Sequence, residues 1–264
     1  MERPKIGIAL GSGASRGLAH IGVLKALEEN NIPIDMVAGT SSGSMIGALY
    51  CTEANLKYIE KIAEDLPRSN IIDPSVPKQG LIKGNRIEEL MRLLTKDKNI
   101  EELSIPYRAV AADLISGQKY VFDRGPVYRA VRASISIPGI FVPVYMDDMV
   151  LVDGGILDRV PVGVVREMGA DIVIGVDVGF SSKKGKVDTI FDVIFQSMDT
   201  VEREILKGRI IEADILLKPY LPNIDPARFD CVYECSKEGY DITMAAIPKI
   251  KEIIDRKEKL NGQE

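Results

Sequence analysis

The chain has 264 residues, of which 45% are hydrophobic and 28% are charged, as in an ordinary globular protein. Its 34 basic and 39 acidic residues give a formal net charge of −5. A nucleic-acid-binding protein would be expected to have an excess of clustered basic residues, so this class of protein is excluded. The first residues predict no signal peptide, and no run of about 18 apolar residues predicts a membrane span. Three cysteines do not suit a secreted disulfide framework. We therefore expect a cytoplasmic protein.

Short runs rich in β-branched residues alternate with longer amphipathic stretches. We predict strands at 5–10, 35–39, 107–112, 119–122, 149–153, 172–178 and 214–218, and helices at 16–30, 42–65, 85–95, 125–134, 161–168, 188–208 and 235–256. Several of these strands are apolar almost throughout, as strands buried on both faces of a parallel sheet are. The alternation predicts an α/β fold of three layers (α/β/α) around a mainly parallel central sheet, in a single domain over residues 1–264.

Residues 67–84 depart from this pattern, because they contain three prolines and two glycines among scattered aliphatic residues. A connection of this length in a compact domain is usually a binding loop, a lid or a disordered segment. The aliphatic side chains favour a lid or substrate-binding segment over a free linker. They are Ile71, Ile72, Val76, Leu81 and Ile82.

The pentapeptide Gly39-Thr40-Ser41-Ser42-Gly43 lies between a predicted strand and a predicted helix. A G-x-S-x-G sequence in this context is typical of a nucleophile elbow, a sharp turn that presents the serine hydroxyl above the sheet. The turn leaves no room for side chains two residues before and two residues after the serine, which explains both glycines. The alternative is a Gly/Ser-rich loop or an anion-binding helix start. We interpret Ser41 as a nucleophile at a helix N-terminus that favours developing negative charge.

A second glycine-rich turn, residues 11–17, joins the first predicted strand to the first predicted helix. A Gly-x-Gly sequence near a helix start can hold a phosphate, so nucleotide binding by residues 11–17 is an alternative. The spacing G-x-G-x-x-x-G differs from the dinucleotide fingerprint, however, and the turn lacks the Gly-Lys-Ser/Thr ending of a P-loop. If Ser41 attacks a carbonyl, the backbone N–H groups of this turn would instead form an oxyanion hole.

The chain contains one histidine, and this limits the choice of a general base. His20 follows the glycine turn, whereas the histidine of Ser-His-Asp hydrolases on related sheets comes last in the chain. The sequence Asp153-Gly154-Gly155 ends an apolar strand, and open α/β sheets keep their sites at the carboxyl ends of strands. An Asp-Gly-Gly sequence alone is an ordinary turn. Its combination with the other two motifs favours Asp153 as the base that accepts the Ser41 proton.

The glycine turn, the G-x-S-x-G sequence and the Asp-Gly-Gly sequence, in this order, resemble the motifs of the patatin-like phospholipase family. Further segments, among them 17–27, 132–140 and 169–173, extend the resemblance over roughly residues 5–250. The chain looks most similar to the small, single-domain bacterial members of the RssA type. The resemblance implies a patatin-like fold and a dyad of Ser41 and Asp153 that acts on acyl esters of lipids.

The resemblance also assigns the oxyanion hole and gives His20 a structural role. The implied donors are the backbone N–H groups of Gly13, Ala14, Ser15 and Arg16. The usual turn of the family is Gly-Gly-Gly-x-Arg-Gly, so an alanine stands here at a glycine position, and alanine resists positive φ. A second departure, at residues 158–159 after the Asp-Gly-Gly sequence, is expected to alter the rim of the pocket.

Together these patterns predict a serine acyl hydrolase that forms an acyl-enzyme, needs no metal or organic cofactor, and contacts a membrane surface at most peripherally. We expect the acyl chain of the ester substrate to contact aliphatic residues of 67–84 together with Ile137, Ile140, Phe141 and Val142. Three alternatives remain. They are a transacylase, a catalytically weak lipid-binding or regulatory protein, and a nucleotide-binding protein.

Overall fold

The structure, a computed structural model, describes residues 3–67, 71–76, 78–179, 187–207, 212–222, 224–225 and 230–261. The strands in these ranges are β1 Ile6–Leu10, β2 Met36–Thr40, β3 Gly80–Ile82, β4 Tyr107–Asp113, β5 Lys119–Phe122, β6 Gly139–Phe141, β7 Val144–Met146, β8 Met149–Asp153, β9 Ile172–Val176 and β10 Ile215–Leu217. The α-helices are α1 Ala19–Glu29, α2 Ser42–Cys51, α3 Leu56–Asp65, α4 Asn85–Leu94, α5 Val127–Ser134, α6 Val162–Glu167, α7 Ile190–Lys207 and α8 Val232–Asn261.

The central sheet has a parallel core in the order β10-β9-β1-β2-β4. β5 and β8 both pair with β4 in the antiparallel direction, and β7 extends the sheet beyond β8. A separate small sheet joins β3 to β6 in parallel. The predicted α/β fold with a mainly parallel central sheet is therefore confirmed.

Both faces of the central strands β1, β2 and β9 are buried, which explains their nearly continuous apolar runs. On one face, Ile6, Ile8 and Leu10 of β1 belong to a cluster that includes buried residues of α1, α2 and α8. On the other face, Ala9 packs in a second cluster with the valines of α6. The alternation along β1 thus divides the core into two layers on either side of the sheet.

The boundaries of several predicted elements were wrong. The predicted helix 42–65 is two helices, α2 and α3, because Glu53 between them has a φ of 60° and Asn55 caps α3 by accepting from the Lys57 N–H at 2.9 Å. The charged C-terminal residues continue α8 to Asn261, beyond the predicted end of this helix. Three strands of three residues each, β3, β6 and β7, were not predicted.

The predicted lid, residues 67–84, is described in part, since residues 68–70 and 77 lie outside the described ranges. The remainder contains β3, and Pro74 forms an isolated antiparallel bridge with Ile82. Within the described residues, no helix combines the length and the apolar character needed to cross a membrane. The lid, the single domain and the cytoplasmic location stay predictions.

The packing of α1 against α8 depends on two glycines that let the helix backbones approach closely. A Cβ at Gly22 would lie 1.7 Å from the Ser236 carbonyl oxygen, and one at Gly239 would lie 2.0 Å from that of Ala19. Contacts this short with backbone atoms cannot be relieved by rotating a side chain. The two helices would have to separate to accommodate a methyl group.

We expect Gly22→Ala to lower the free energy of unfolding by at least about 2 kcal/mol, because the added methyl group overpacks this contact. Gly163→Ala is the matched control: Gly163 is exposed in α6, with nothing within 4 Å of its Cβ position. That variant should gain up to about 1 kcal/mol from helix propensity. Urea denaturation measures both, and equal effects of the two substitutions would contradict this account of the α1–α8 contact.

Candidate active site

Ser41 and Asp153 come together because β2 and β8 share one edge of β4. β5 occupies one edge of β4 along Ala109–Ala112, which leaves the other edge to β2 along Tyr107–Val110 and to β8 along Ala111–Asp113. β2 and β8 run in opposite directions, so their C-terminal ends face each other at the middle of this edge. Thr40, the last residue of β2, pairs with Val110, and Asp153, the last residue of β8, pairs with the next residue of β4, Ala111. The two strand ends are therefore adjacent along β4.

This topology corrects the reason for expecting Asp153 at the site. The Asp-Gly-Gly sequence predicts a position at the carboxyl edge of a parallel sheet, whereas β8 is antiparallel to β4. Asp153 reaches Ser41 because β8 begins beyond the end of β2 and runs back toward it. Periodicity in a single strand carries no information about its direction in the sheet.

The backbone of Ser41 has the strained conformation expected of an elbow, with φ 55° and ψ −124°. A Cβ at Gly39 would lie 2.5 Å from the Gly43 carbonyl oxygen, within the turn itself. A Cβ at Gly43 would instead lie 2.1 Å from the carbonyl oxygen of Leu10 on the neighbouring strand. The first glycine is thus required by the turn and the second by the close approach of α2 to β1. Ser41 itself is 3% exposed.

The Asp153 carboxyl is buried, with 1% of the residue exposed. Its Oδ1 accepts a hydrogen bond from the Gly155 N–H at 2.8 Å, and no described residue donates to Oδ2 in normal hydrogen-bond geometry. Burial raises the pKa of Asp153 to about 6, although the Ser41 hydroxyl and the Gly155 N–H oppose this shift by favouring the charged form. A Cβ at Gly154 would lie 2.4 Å from the Val110 carbonyl oxygen, so this glycine lets the Asp-Gly-Gly turn lie against β4.

The glycine turn lies beside the start of α2, since a Cβ at Gly17 would be 2.2 Å from Ser42 Oγ. Ala14 has a φ of 50°, the left-handed conformation that alanine resists. The Arg16 N–H donates to the Gly13 carbonyl oxygen at 3.1 Å. Arg16 is therefore not a free donor, contrary to the expectation from the resemblance.

The remaining N–H groups of this turn differ from that of Arg16. Within the described residues, no acceptor takes the N–H groups of Gly13, Ala14 and Ser15, and none takes that of Ser42 at the start of α2. The N–H of Ser41 is occupied, because it donates to Ser134 Oγ at 2.9 Å. The unoccupied donors thus belong to two segments, the glycine turn and the first turn of α2.

His20 is buried in α1 and contacts the backbone of the glycine turn. Its Nε2 lies 2.8 Å from the Gly11 carbonyl oxygen, and Nδ1 has no partner among the described residues. Burial lowers the pKa of His20 to about 4, so the ring is neutral at neutral pH and Nε2 is the protonated nitrogen that donates to Gly11. The histidine holds the turn in place. Among the described residues, no three His, Cys, Asp or Glu side chains are grouped as metal ligands.

Arg159 does not lie at a pocket rim as the sequence suggested, because it is 5% exposed. Its Nε lies 3.4 Å from Asp177 at the end of β9, and its Nη1 lies 3.6 Å from Asp199 of α7. Its carbonyl oxygen accepts the Ser12 N–H at 2.9 Å. Arg159 thus links α7 to the glycine turn, which no sequence pattern indicated.

A separate apolar cluster forms around Ile82, Ile137 and Ile140. Leu81 and Phe141 pack against it, whereas Ile72 and Val76 are exposed and Ile71 packs in the main core. No sequence pattern predicted the contribution of α7 to this cluster. Its residues in this cluster are Phe191, Ile194, Phe195 and Met198.

Comparison with known proteins agrees with this arrangement of motifs. The family model described as Patatin-like phospholipase matches residues 8–166, the range that holds the glycine turn, Ser41 and Asp153. The chain belongs to the patatin-like phospholipase family. An uncharacterized NTE family protein of Mycobacterium tuberculosis is 39% identical to it over 181 residues, which are 67% of this chain and 50% of that protein.

Two further similarities are to a human protein and to a solved bacterial structure. The patatin-like phospholipase domain-containing protein 6 of Homo sapiens is 37% identical over 182 residues, 66% of this chain and 13% of that protein. The chain thus spans half or less of the length of these curated relatives. The crystal structure of VipD from Legionella pneumophila matches with a TM-score of 0.67 at 14% identity, over 94% of this chain and 67% of that chain, which indicates a shared fold. The predicted family is confirmed, and the RssA-type subgroup stays a prediction.

We expect Asp153→Asn to stabilise the folded protein at and above neutral pH. The pKa of Asp153 is raised on folding, so its contribution to stability is fully present in acid and is lost as the pH rises through about 6. Two pK units correspond to about 3 kcal/mol. The Tm of the variant should therefore exceed that of the wild type at about pH 8, and the difference should disappear near pH 4. A gain that does not change between these two conditions would contradict the raised pKa.

Proposed function

We propose that the chain is a serine acyl hydrolase that cleaves carboxylic esters of lipids through a dyad of Ser41 and Asp153. The observation that carries this proposal is the strained elbow, which holds the Ser41 hydroxyl beside a buried carboxyl whose pKa is raised to about 6. A carboxyl with this pKa is ionised at neutral pH and is basic enough to accept a proton in the transition state. No histidine is required, and His20 is already engaged with Gly11.

The reaction has two proton cycles. In the first, Asp153 accepts the Ser41 proton as Oγ attacks the ester carbonyl, and it then passes this proton to the departing alcohol, which leaves an acyl group on Ser41. In the second, Asp153 takes a proton from water as the water oxygen attacks the acyl-enzyme, and it returns the proton to Ser41 as the carboxylic acid leaves. The unpaired Oδ2 is the atom that we assign to these transfers.

The negative charge on the carbonyl oxygen needs donors that are free before the substrate arrives. We propose the N–H groups of Gly13, Ala14 and Ser42, and we retain Ser15 as a further candidate, because none of these has an acceptor within the described residues. Ser42 also lies at the N-terminus of α2, where the helix dipole favours an anion. Removal of one donor of this kind typically costs about 10²–10³ in kcat.

The substrate class follows from the apolar cluster and from the family. The partly buried side chains that pack against Ile82, Ile137 and Ile140, among them Phe141 and Phe191, offer an acyl chain an apolar surface. Three other residues of α7 (Ile190, Val193 and Val201) are more than half exposed, which supports peripheral contact of this helix with a lipid surface. The chain belongs to a family named for phospholipases, and this supports a lipid ester as the substrate.

Hydrolysis of p-nitrophenyl esters and labelling by a fluorophosphonate test the dyad. We expect Ser41→Ala and Asp153→Asn to lose nearly all turnover, whereas His20→Gln should keep most of it, because the glutamine amide can still donate to the Gly11 carbonyl oxygen. Turnover that requires His20 and tolerates Asp153→Asn would refute the dyad.

The same measurements separate the alternatives. Equal absence of turnover in wild type and Ser41→Ala would favour a lipid-binding or regulatory protein. Thermal stabilisation by nucleotides, with no labelling of Ser41, would favour phosphate binding by residues 11–17. A transacylase would label at Ser41 and transfer the acyl group to an added alcohol in preference to water.

The pH dependence of kcat/KM provides an independent test. Only the ionised carboxylate can accept the Ser41 proton, so kcat/KM should fall about tenfold per pH unit below the pKa of about 6 and level off above it. Circular dichroism at each pH must show that the protein remains folded. A profile that is flat between about pH 4.5 and 8 in folded protein would contradict the assignment of Asp153 as the base.

A further inference from the structure

The 132–136 segment, at the end of α5 and directly after it, contacts the backbone of both reacting residues. Ser134 is buried in the last turn of α5. Its Oγ accepts the Ser41 N–H at 2.9 Å and donates to the Val110 carbonyl oxygen at 2.6 Å. One hydroxyl therefore joins the elbow to the central strand β4.

Ser136 makes the corresponding contact with the second reacting residue. Its carbonyl oxygen accepts the Asp153 N–H at 2.9 Å. Its hydroxyl donates to the Arg132 carbonyl oxygen at 2.7 Å and accepts a hydrogen bond from Arg132 Nη1 at 2.5 Å. Residues 134 and 136 thus hold Ser41 and Asp153 from a single short piece of chain.

Arg132 connects this segment to the walls of the apolar cluster. Its Nη2 donates to the carbonyl oxygens of Lys83, just after β3, and of Val142, just after β6, the latter at 2.8 Å. The guanidinium carbon lies 5.5 Å from the centre of the Phe141 ring. Gly84 has a φ of 82°, and a Cβ there would lie 2.5 Å from Arg132 Cζ, so a larger residue would be strained and would displace the guanidinium.

The bonding of Arg132 is unusual for a buried cation. The residue is 3% exposed, and the hydrogen bonds of its guanidinium go to two carbonyl oxygens and a hydroxyl. Burial lowers its pKa, and the negative charges of Glu88 and Asp73 oppose this effect. A planar fork that reaches three acceptors on separate segments fixes their relative positions, which a single ammonium group cannot do.

We propose that the 132–136 segment is the positioning element of the site. Ser134 orients Ser41, and Ser136 orients Asp153. Arg132 connects both serines, by hydrogen bonds, to the segments just after β3 and β6, next to the apolar cluster. This proposal rests on the proposed function for the roles of Ser41 and Asp153. Ser134 and Arg132 are positioning residues, since neither touches the reacting atoms. A positioning element is needed because the backbone of Ser41 is strained. Its φ of 55° persists only if the surrounding structure holds the peptide in place.

The test compares Ser134→Ala with Ser236→Ala, which removes the hydroxyl of a buried serine on α8. Both variants lose one buried hydroxyl, so a merely structural effect should be similar in the two. We expect Ser134→Ala to lower kcat per labelled serine by about 10–100-fold, because a misplacement of about 1 Å costs this much. The KM should stay within about threefold, and the rate of fluorophosphonate labelling at Ser41 should fall in parallel with kcat. Ser236→Ala should leave all three unchanged.

Arg132→Lys tests the connection to the apolar cluster. Lysine retains the charge, but its three donors sit on one compact nitrogen and cannot span acceptors as far apart as those of the guanidinium. We therefore expect a kcat between those of wild type and Arg132→Met, again per labelled serine. If both Arg132 variants lower the Tm and yet keep the wild-type kcat per labelled serine, Arg132 is structural and its role as a positioning residue is overturned.

Two results separate failure of this proposal from failure of the proposed function. In the first, the wild type is active and Ser134→Ala has unchanged kcat and labelling, or Ser236→Ala loses as much kcat and labelling as Ser134→Ala does. Either outcome overturns the positioning role of Ser134 and leaves the dyad intact. If the wild type shows neither turnover nor labelling, hydrogen exchange of the Ser41 amide decides. Exchange should accelerate at least about tenfold in Ser134→Ala and not in Ser236→Ala, and equal rates would overturn the proposal.

Discussion

The site depends on the turn at the end of β2, where the chain passes from strand to helix at a single residue. α2 starts so close to β1 that Gly43 lies against the Leu10 carbonyl oxygen, and this leaves Ser41 in a positive-φ conformation. Such strain persists only where neighbouring structure compensates for it. The compensation here comes from the Ser134 hydroxyl, which binds the Ser41 N–H, and from the helix that follows. The direction of the Ser41 hydroxyl, toward the Asp153 carboxyl, is a consequence of this packing.

A second constraint is the burial of Asp153. An ionised carboxyl with one oxygen unpaired is costly in the interior, and its raised pKa expresses that cost. The arrangement is understandable if the carboxyl is to exchange a proton with Ser41, since a fully hydrogen-bonded carboxylate would be a weaker base. The surrounding packing compensates for this cost, since β2 is buried throughout and Leu151–Asp153 of β8 are buried.

Sequence patterns predicted the local parts of the site with different success. The glycines around Ser41 and the alanine in the glycine turn were recognisable because steric rules at positive φ act within a few residues. Arg159 was assigned to the rim and Arg16 to the oxyanion hole, yet the side chain of the first is buried beside Asp177 and Asp199, and the N–H of the second is bonded to Gly13. These errors concern partners that are distant in sequence or depend on the exact course of a turn.

The sequence by itself determined the alternation of strands and helices, the family, and the identity of a serine and an aspartate at strand ends. These features follow from periodicity and from local sterics, which a short window of residues expresses. Only the tertiary structure decided that β2 and β8 meet end to end on β4, that α7 covers the apolar cluster, and that Arg132–Ser136 holds both halves of the site. Strand direction, edge sharing and long-range hydrogen bonds depend on how all segments fill one core, and no single segment encodes them.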